Sequence, residues 1–314
     1  MRLGRNLIRV LGPLLFLLIL SRMDLGRVAE TMAAVRVNFL LAALVLYPGL
    51  VLLKAWRWHI LLRQQHINYG LVTAFLAYNS SLSAGYVTPG RLGEFVKALY
   101  LRQDEDVLLG QALSSVLMDR LFDLYVLLMT ASLGIAIFSL PEQLSIVAPA
   151  LLVAGGLAPL LVLIPGATRR LIVLLNRLLP ILGAARHREE IKRTLNGFER
   201  GMEQLLTIRL LLPLLVTVVA YAVFYLQCYL TAVALRLPLS YPYAAFCVSI
   251  ASLLALLPIS ISGLGVRGAT FIALLLPLGI VAEMAVSYSL LILFVFNIFG
   301  GGWGAIAWFI KPLK

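Results

Sequence analysis

The chain has 314 residues, 61% of them hydrophobic and 13% charged, with a net charge of +12 and a mean hydropathy of +0.98. That composition excludes a soluble globular enzyme and a disordered chain, and marks an integral membrane protein. The positive charge does not point to nucleic acid. The basic residues stand at the ends of apolar runs and in one linker, where positive-inside sorting and attraction to anionic lipid explain them.

Arg2, Arg5 and Arg9 precede the apolar run LGPLLFLLIL, an arrangement that imitates a signal peptide, but SRMDLGRV offers no small-x-small cleavage site. A retained first span with a cytoplasmic N-terminus is expected. A second span, about Val37 to Leu53, leads back to Lys54, Arg57 and Arg63, which read as a cytoplasmic flank. Trp56, Trp58 and Trp308 read as interfacial anchors. The next stretch, LVTAFLAYNSSLSAGYV followed by TPGRLGEF, is too polar and too broken to face lipid as a simple span. A third span begins near Leu121, led by Asp119, Arg120 and Asp123, and a fourth covers about Ser145 to Ile164. The segment 166–209 reads as a basic, amphipathic cytoplasmic linker lying on the membrane. A fifth span, about Leu210 to Leu235, and a last one, about Met284 to Ile310, bring the chain to KPLK on the cytoplasmic side.

Between those last two spans, AAFCVSIASLLALLPISISGLGVRGATFIALLL has the order half-helix, Pro, Gly-Arg loop, half-helix. The stretch VTAFLAYNSSLSAGYVTPGRLGEFVKALYL has the same order. Two broken segments, 71–102 in a first half (1–165) and 242–281 in a second half (210–314), enter from opposite faces by this topology. That pattern points to a transporter built from inverted repeats. The expected fold is all-α: one polytopic transmembrane domain of about six full spans plus two broken or re-entrant helical segments.

Pro and Gly stop helices, and irregular backbone at membrane depth is tolerated only where protein buries it or it lines a watery cavity. A helix starting near Gly90 or Arg91 would aim free amides and a positive dipole end at the break, a combination suited to phosphate or carboxylate. Gly93 permits close approach. Glu94 is placed to pair with Arg91, Lys97 or Arg120, and its protonation could couple a proton to movement. Asp119 and Asp123 share one helix face with Arg120 between them. They read either as an ion-pair cluster bracing the break or as a substrate or proton contact. Arg267 is the only charge of the second loop, and reads as a mirror of Arg91 or as an interfacial Arg on the outer face. Asn79 and Tyr86 could hydrogen-bond a headgroup, although small polar residues also join membrane helices. His59, His66 and His187 have no metal-ligand spacing, Cys228 and Cys247 sit in apolar runs, and no nucleotide loop, nucleophile elbow or cofactor motif is present.

At TPGRLGEFVKALYL and LPISISGLGVRGATFIALLL the sequence resembles the flippase-like membrane region of lysylphosphatidylglycerol synthases and its stand-alone relatives, over nearly the whole chain. Where that family usually carries a Glu directly after the second Arg, this chain has Gly268. The resemblance implies a multi-pass protein of a bacterial or archaeal inner membrane that moves a lipid between leaflets. It also implies no synthase activity without the fused soluble domain, which this chain does not show before Lys314. The leading expectation is an ATP-independent lipid translocase. Arg91 and the helix start at Gly90 would hold a phosphate on the cytoplasmic side, and Arg267 would offer a matching site outside. Glu94, Asp119, Arg120 and Asp123 would gate. This reading calls for a cavity reaching both loops, with a lateral opening wide enough for acyl or prenyl chains. The alternatives are a membrane-embedded headgroup or polyprenyl-phosphate transferase, with Glu94 or Asp119 as base, and a scaffold for a lipid-synthesising partner enzyme.

Overall fold

The computed structural model describes residues 24–88, 90–138, 188–256, 263 and 265–313. The spans expected at 11–20 and 145–164 lie outside these residues. The described residues are helical without strands. They contain four helices long and apolar enough to cross a membrane: α2 (Val37–Gln64), α5 (Leu109–Ile137), α7 (Leu211–Ala234) and α10 (Ala282–Ile310). Around them stand α1 (Leu25–Ala33), α3 (Leu71–Val87), α4 (Val96–Glu105), α6 (Arg188–Leu205), α8 (Tyr241–Ala255) and α9 (Val266–Leu275). Two spans extend beyond their apolar runs. α2 continues through Lys54, Arg57 and Arg63, and α5 starts at Leu109, so Asp119, Arg120 and Asp123 lie inside the helix and do not lead it. Both extensions are amphipathic and pack against protein, which is why apolar length alone ended them early. α10 contains a π-helical stretch, Phe294–Phe299, a wide turn that sequence periodicity does not announce.

The order of elements repeats. α2 and α7 each end on a left-handed non-glycine residue, His66 (φ 60°) and Arg236 (φ 58°). The next amide bonds back in the same way, Ile67 N to Leu62 O at 3.0 Å and Leu237 N to Ala232 O at 2.9 Å. Half-helices α3 and α8 have 17 and 15 residues, α4 and α9 have 10 each, and α5 and α10 have 29 each.

Packing crosses between the halves. α2 lies along α7, α3 against the end of α10, and α8 against the end of α5. Glycines make the last two contacts close. A Cβ on Gly304 would overlap the Ser83 hydroxyl and stand 2.5 Å from the Asn79 carbonyl oxygen, and one on Gly134 would overlap the Phe246 ring. Without a hydrophobic force between helices in lipid, such close backbone approach supplies the packing. Gly304 stands as far along the chain from Gly134 as Arg236 does from His66.

α6, from the linker, does not spend its apolar face on lipid. Met202 and Leu205 pack with Leu61, Met118 and Phe122, and the Gln65 amide donates to the Gly201 carbonyl at 3.0 Å. At the same end of the bundle Tyr69 donates to Asp104 at 2.5 Å, and Lys311 pairs with Asp104 at 2.9 Å. Burial and the Asp104 carboxylate push the Tyr69 phenol above its ordinary range.

Candidate functional site

The first break follows from local chemistry. α3 ends at Val87, and Gly90 (φ 61°) and Arg91 (φ 55°) are both left-handed, which reverses the chain into a 3₁₀ turn at Leu92–Phe95. Glycine takes that conformation at no steric cost, whereas Arg91 is strained there by roughly 1–3 kcal/mol. The turn lies flat against the last turn of α3. A Cβ on Gly93 would overlap the Ala84 carbonyl, and one on Gly85 would stand 2.5 Å from the Glu94 Cγ. The expected bank of free amides is largely occupied by Thr88. Gly93 N donates to Thr88 Oγ1 at 2.7 Å and Arg91 N to Thr88 O at 3.2 Å, while Glu94 N bonds Arg91 O at 3.1 Å. Charge at this site therefore rests on side chains.

Those side chains form a buried network. Arg57, Lys97, Asp119 and Glu94 are each 0% exposed. Arg57 bridges both aspartates, with Nε to Asp119 Oδ1 at 2.8 Å and a terminal nitrogen to Asp123 Oδ1 at 2.8 Å, and reaches Thr217 of α7 at 3.2 Å. Lys97 pairs with Asp119, whose other contact at that oxygen is the Tyr78 hydroxyl at 3.2 Å. Lys54 pairs with Asp123 at 3.1 Å. Arg120 binds Glu94, with a hydrogen bond at 2.8 Å, and Asp123 at 3.2 Å. Arg91 is the loosest member, 3.9 Å from Glu94 with its side chain about one-third exposed, and it lies over the Tyr86 ring at 5.7 Å. Rings also cover the other cations: Lys97 sits 4.1 Å from the Tyr78 centroid and Lys54 4.8 Å from that of Tyr221. Ionised groups withdrawn from water are sustained only by such dense pairing.

Beside this network a cavity of about 50 Å³ separates the halves. Its cationic lining is Lys54 from α2, Arg91 from the first break and Arg267 from the first turn of α9. Tyr47, Tyr86 and Phe224 are among its aromatic walls, with Tyr47 and Tyr86 hydroxyls 3.4 Å apart. The cavity thus reaches both loops. A water needs about 10–15 Å³, so the space holds a few waters and no acyl chain. In this conformation the cavity lacks the width that the lipid reading calls for, because aromatic side chains fill it.

Of the residues singled out from sequence, Arg91, Arg267 and Tyr86 share the cavity. Glu94, Asp119, Arg120 and Asp123 share the network behind it. Arg91 and Arg267, which the topology placed at opposite faces, line one space. Gly90 and Gly93 shape the turn and do not line the cavity, and Asn79 is buried at the α3–α10 contact. Gly268 has room for a side chain, since a Cβ there would stand 3.9 Å from Val286.

Sequence reasoning missed Lys54 and Arg57 as members of the site, because positive-inside sorting already accounted for them. Their spacing of one helical turn, matched to the Asp119–Asp123 step, was the available signal. Trp58 is not an interfacial anchor: it is fully buried and donates to Ser115 Oγ at 3.1 Å, whereas Trp56 and Trp308 are exposed.

No curated protein and no solved structure matches this chain. The family described as the lysylphosphatidylglycerol synthase TM region matches residues 7–304. With that match spanning both breaks, the network and the cavity between the halves, the chain belongs to the lysylphosphatidylglycerol synthase TM region family.

Proposed function

We propose that the protein is an ATP-independent lipid translocase of the cytoplasmic membrane, which passes a phosphate-bearing lipid headgroup between leaflets through the space between its halves. The observation that carries this reading is the single cavity in which Arg91 of the first break and Arg267 of the second meet among aromatic walls. In this reading the halves are inverted repeats, supported by the matched order and lengths of their elements and by the crosswise packing of α3 on α10 and α8 on α5. The narrow cavity is then an occluded state, and a headgroup enters when the halves rock apart toward one face. The network supplies the gate. Arg57 ties α2 and α5 to Thr217 of α7, and Glu94 links the break to Arg120 of α5.

A non-enzymatic role fits the same geometry. Glu94, Asp119 and Asp123 each face at least two cations, so the carboxylates of the network are committed to ion pairs that hold the helices together.

Leaflet exchange of labelled lipids in liposomes tests the proposal. Wild type should accelerate exchange of one lipid class, and Arg91→Gln should slow it by at least about tenfold, the effect of losing one charged hydrogen bond of about 1.5–3 kcal/mol. If wild type moves no lipid, with or without imposed proton or sodium gradients, the proposal is overturned.

A further inference from the structure

Away from the cavity, the last turn of α2 and the start of α7 form a groove on the surface of the bundle. Its outer layer is polar, with Arg63 and Gln64 at the end of α2 and Arg209 in the turn that leads into α7. Ile60 and Leu212 stand about one helical turn deeper, and Leu215 about one turn deeper again. Leu212 and Leu215 are exposed on a spanning helix, so they meet lipid. A basic band over an apolar floor has the vertical order of a phospholipid, headgroup above chains. Positive-inside sorting assigns this end of the bundle to the cytoplasmic leaflet.

The charge of the groove has no counterpart in the protein. Among the described residues neither Arg63 nor Arg209 joins an ion pair, and Arg63 donates instead to the neutral Asn68 side chain at 3.1 Å. Every Asp and Glu of the chain except Glu142 is among the described residues. Glu142 follows the far end of α5, whereas the groove lies where α5 begins, with Gln111 donating to the Gln65 carbonyl. Gln64 adds an acceptor. Its Nε2 donates to the Arg209 carbonyl at 2.9 Å, tying α2 to the lead-in of α7, while its buried Oε1 has no donor among the described residues. A headgroup hydroxyl would complete it. We infer that the groove holds an anionic phospholipid whose phosphate bridges Arg63 and Arg209, clamping α2 of the first half to α7 of the second. An ammonium headgroup is repelled there by both guanidinium groups and finds no carboxylate. The groove and the cavity share no described lining residue, so the inference stands apart from the translocase reading.

Native mass spectrometry of the full chain tests this, with the protein released from detergent containing equal amounts of dioleoyl phosphatidylglycerol, phosphatidylethanolamine and phosphatidylcholine. Wild type should retain phosphatidylglycerol with at least about tenfold preference over either zwitterionic lipid, since each basic residue at the surface contributes several-fold. Raising ammonium acetate from about 0.05 M to about 0.5 M should cut that preference several-fold, because both arginines are exposed. Arg63→Gln combined with Arg209→Gln should bring the three lipids within about twofold of one another, and Lys at both positions should keep most of the preference. The Gln pair should unfold in phosphatidylcholine within a few degrees of wild type, which separates a lost site from a lost fold. Arg91→Gln, in the cavity, should leave retention unchanged. Equal retention of the three lipids by wild type, or a preference indifferent to salt, overturns the inference. Loss of the preference in Arg91→Gln also overturns it, by moving the lipid to the cavity. Displacement of the retained lipid by free glycerol 3-phosphate does the same, by making the groove a site for a soluble anion. Leaflet exchange separates the two claims: selective retention without exchange removes the translocase and keeps the groove, and exchange without selective retention does the reverse.

Discussion

At both breaks residues of positive φ precede the second half-helix, and different forces hold that half-helix in place. At the first, left-handed Gly90 and Arg91 lead into a turn whose Glu94 is held by Arg120 of α5, while Asp119 of α5 holds Lys97 of the half-helix that follows. At the second, Gly263 (φ 72°) and Gly265 (φ 80°) lead into α9, whose first turn carries Arg267 as its charge. α9 then packs chiefly through apolar side chains such as Phe271, which lies on Tyr288 with ring centroids 4.8 Å apart. Ion pairs withdrawn from water are directional and unforgiving, whereas apolar packing slides at low cost. The first break is therefore the fixed side of the cavity and the second the adjustable side, and substitutions should sort accordingly.

The largest expected effect is removal of a network member. Arg57→Ala leaves Asp119 and Asp123 short of a cation in a dry site, a loss of about 3–5 kcal/mol, and should abolish a monodisperse, cooperatively unfolding protein in detergent. Arg267→Gln should unfold within a few degrees of wild type. Comparable destabilisation by the two would end the contrast between the breaks. Next comes Gly93→Ala, which drives a methyl into the Ala84 backbone and should lower stability by roughly 1–3 kcal/mol, read as a thermal shift.

A finer comparison uses the glycines at corresponding crossings. Gly304→Ala meets a hydroxyl and a backbone carbonyl oxygen of α3, whereas Gly134→Ala meets side-chain atoms of Phe246 and no backbone atom among its nearest neighbours. The first should cost more, and equal shifts would show that both crossings yield alike. The smallest effect belongs to Tyr47→Phe. Its hydroxyl is 3.4 Å from that of Tyr86, beyond a good O–H···O distance, so stability should change by less than about 1 kcal/mol.

Much of this asymmetry was legible in the chain. The Pro-Gly-Arg-x-Gly-Glu stretch announces a break because its residues resist helix, and Asp119 with Asp123 announces a polar face because four residues return to the same side. The partners of those aspartates were hidden. Lys54 and Arg57 sit just past an apolar run, where flanking charge has a sufficient explanation in topology, and only the inward turn of α2 shows their engagement. The extent of α5 was hidden for the same reason: residues 109–120 are too polar for lipid but are covered by α6. That Arg91 and Arg267 face one space depends on helix tilt and crossing, which one-dimensional periodicity does not encode.

The crosswise packing has a consequence for biosynthesis. Ser83 of α3 donates to the Gly301 carbonyl at 3.0 Å, and Gly304 receives the α3 backbone, so the seat of this half-helix is made 218 residues after Ser83 itself. At 17 residues, with Asn79, Ser80 and Ser81 buried, α3 is short and polar for independent insertion and must wait for α10. Nascent chains arrested before Gly300 should leave a cysteine placed at Ser83 open to a water-soluble maleimide, and extension through the whole of α10 should shield it. Early shielding would mean that α3 finds its place without its partner. Closure of the cavity between the halves then waits for α10, and a chain arrested earlier leaves one of its walls unbuilt.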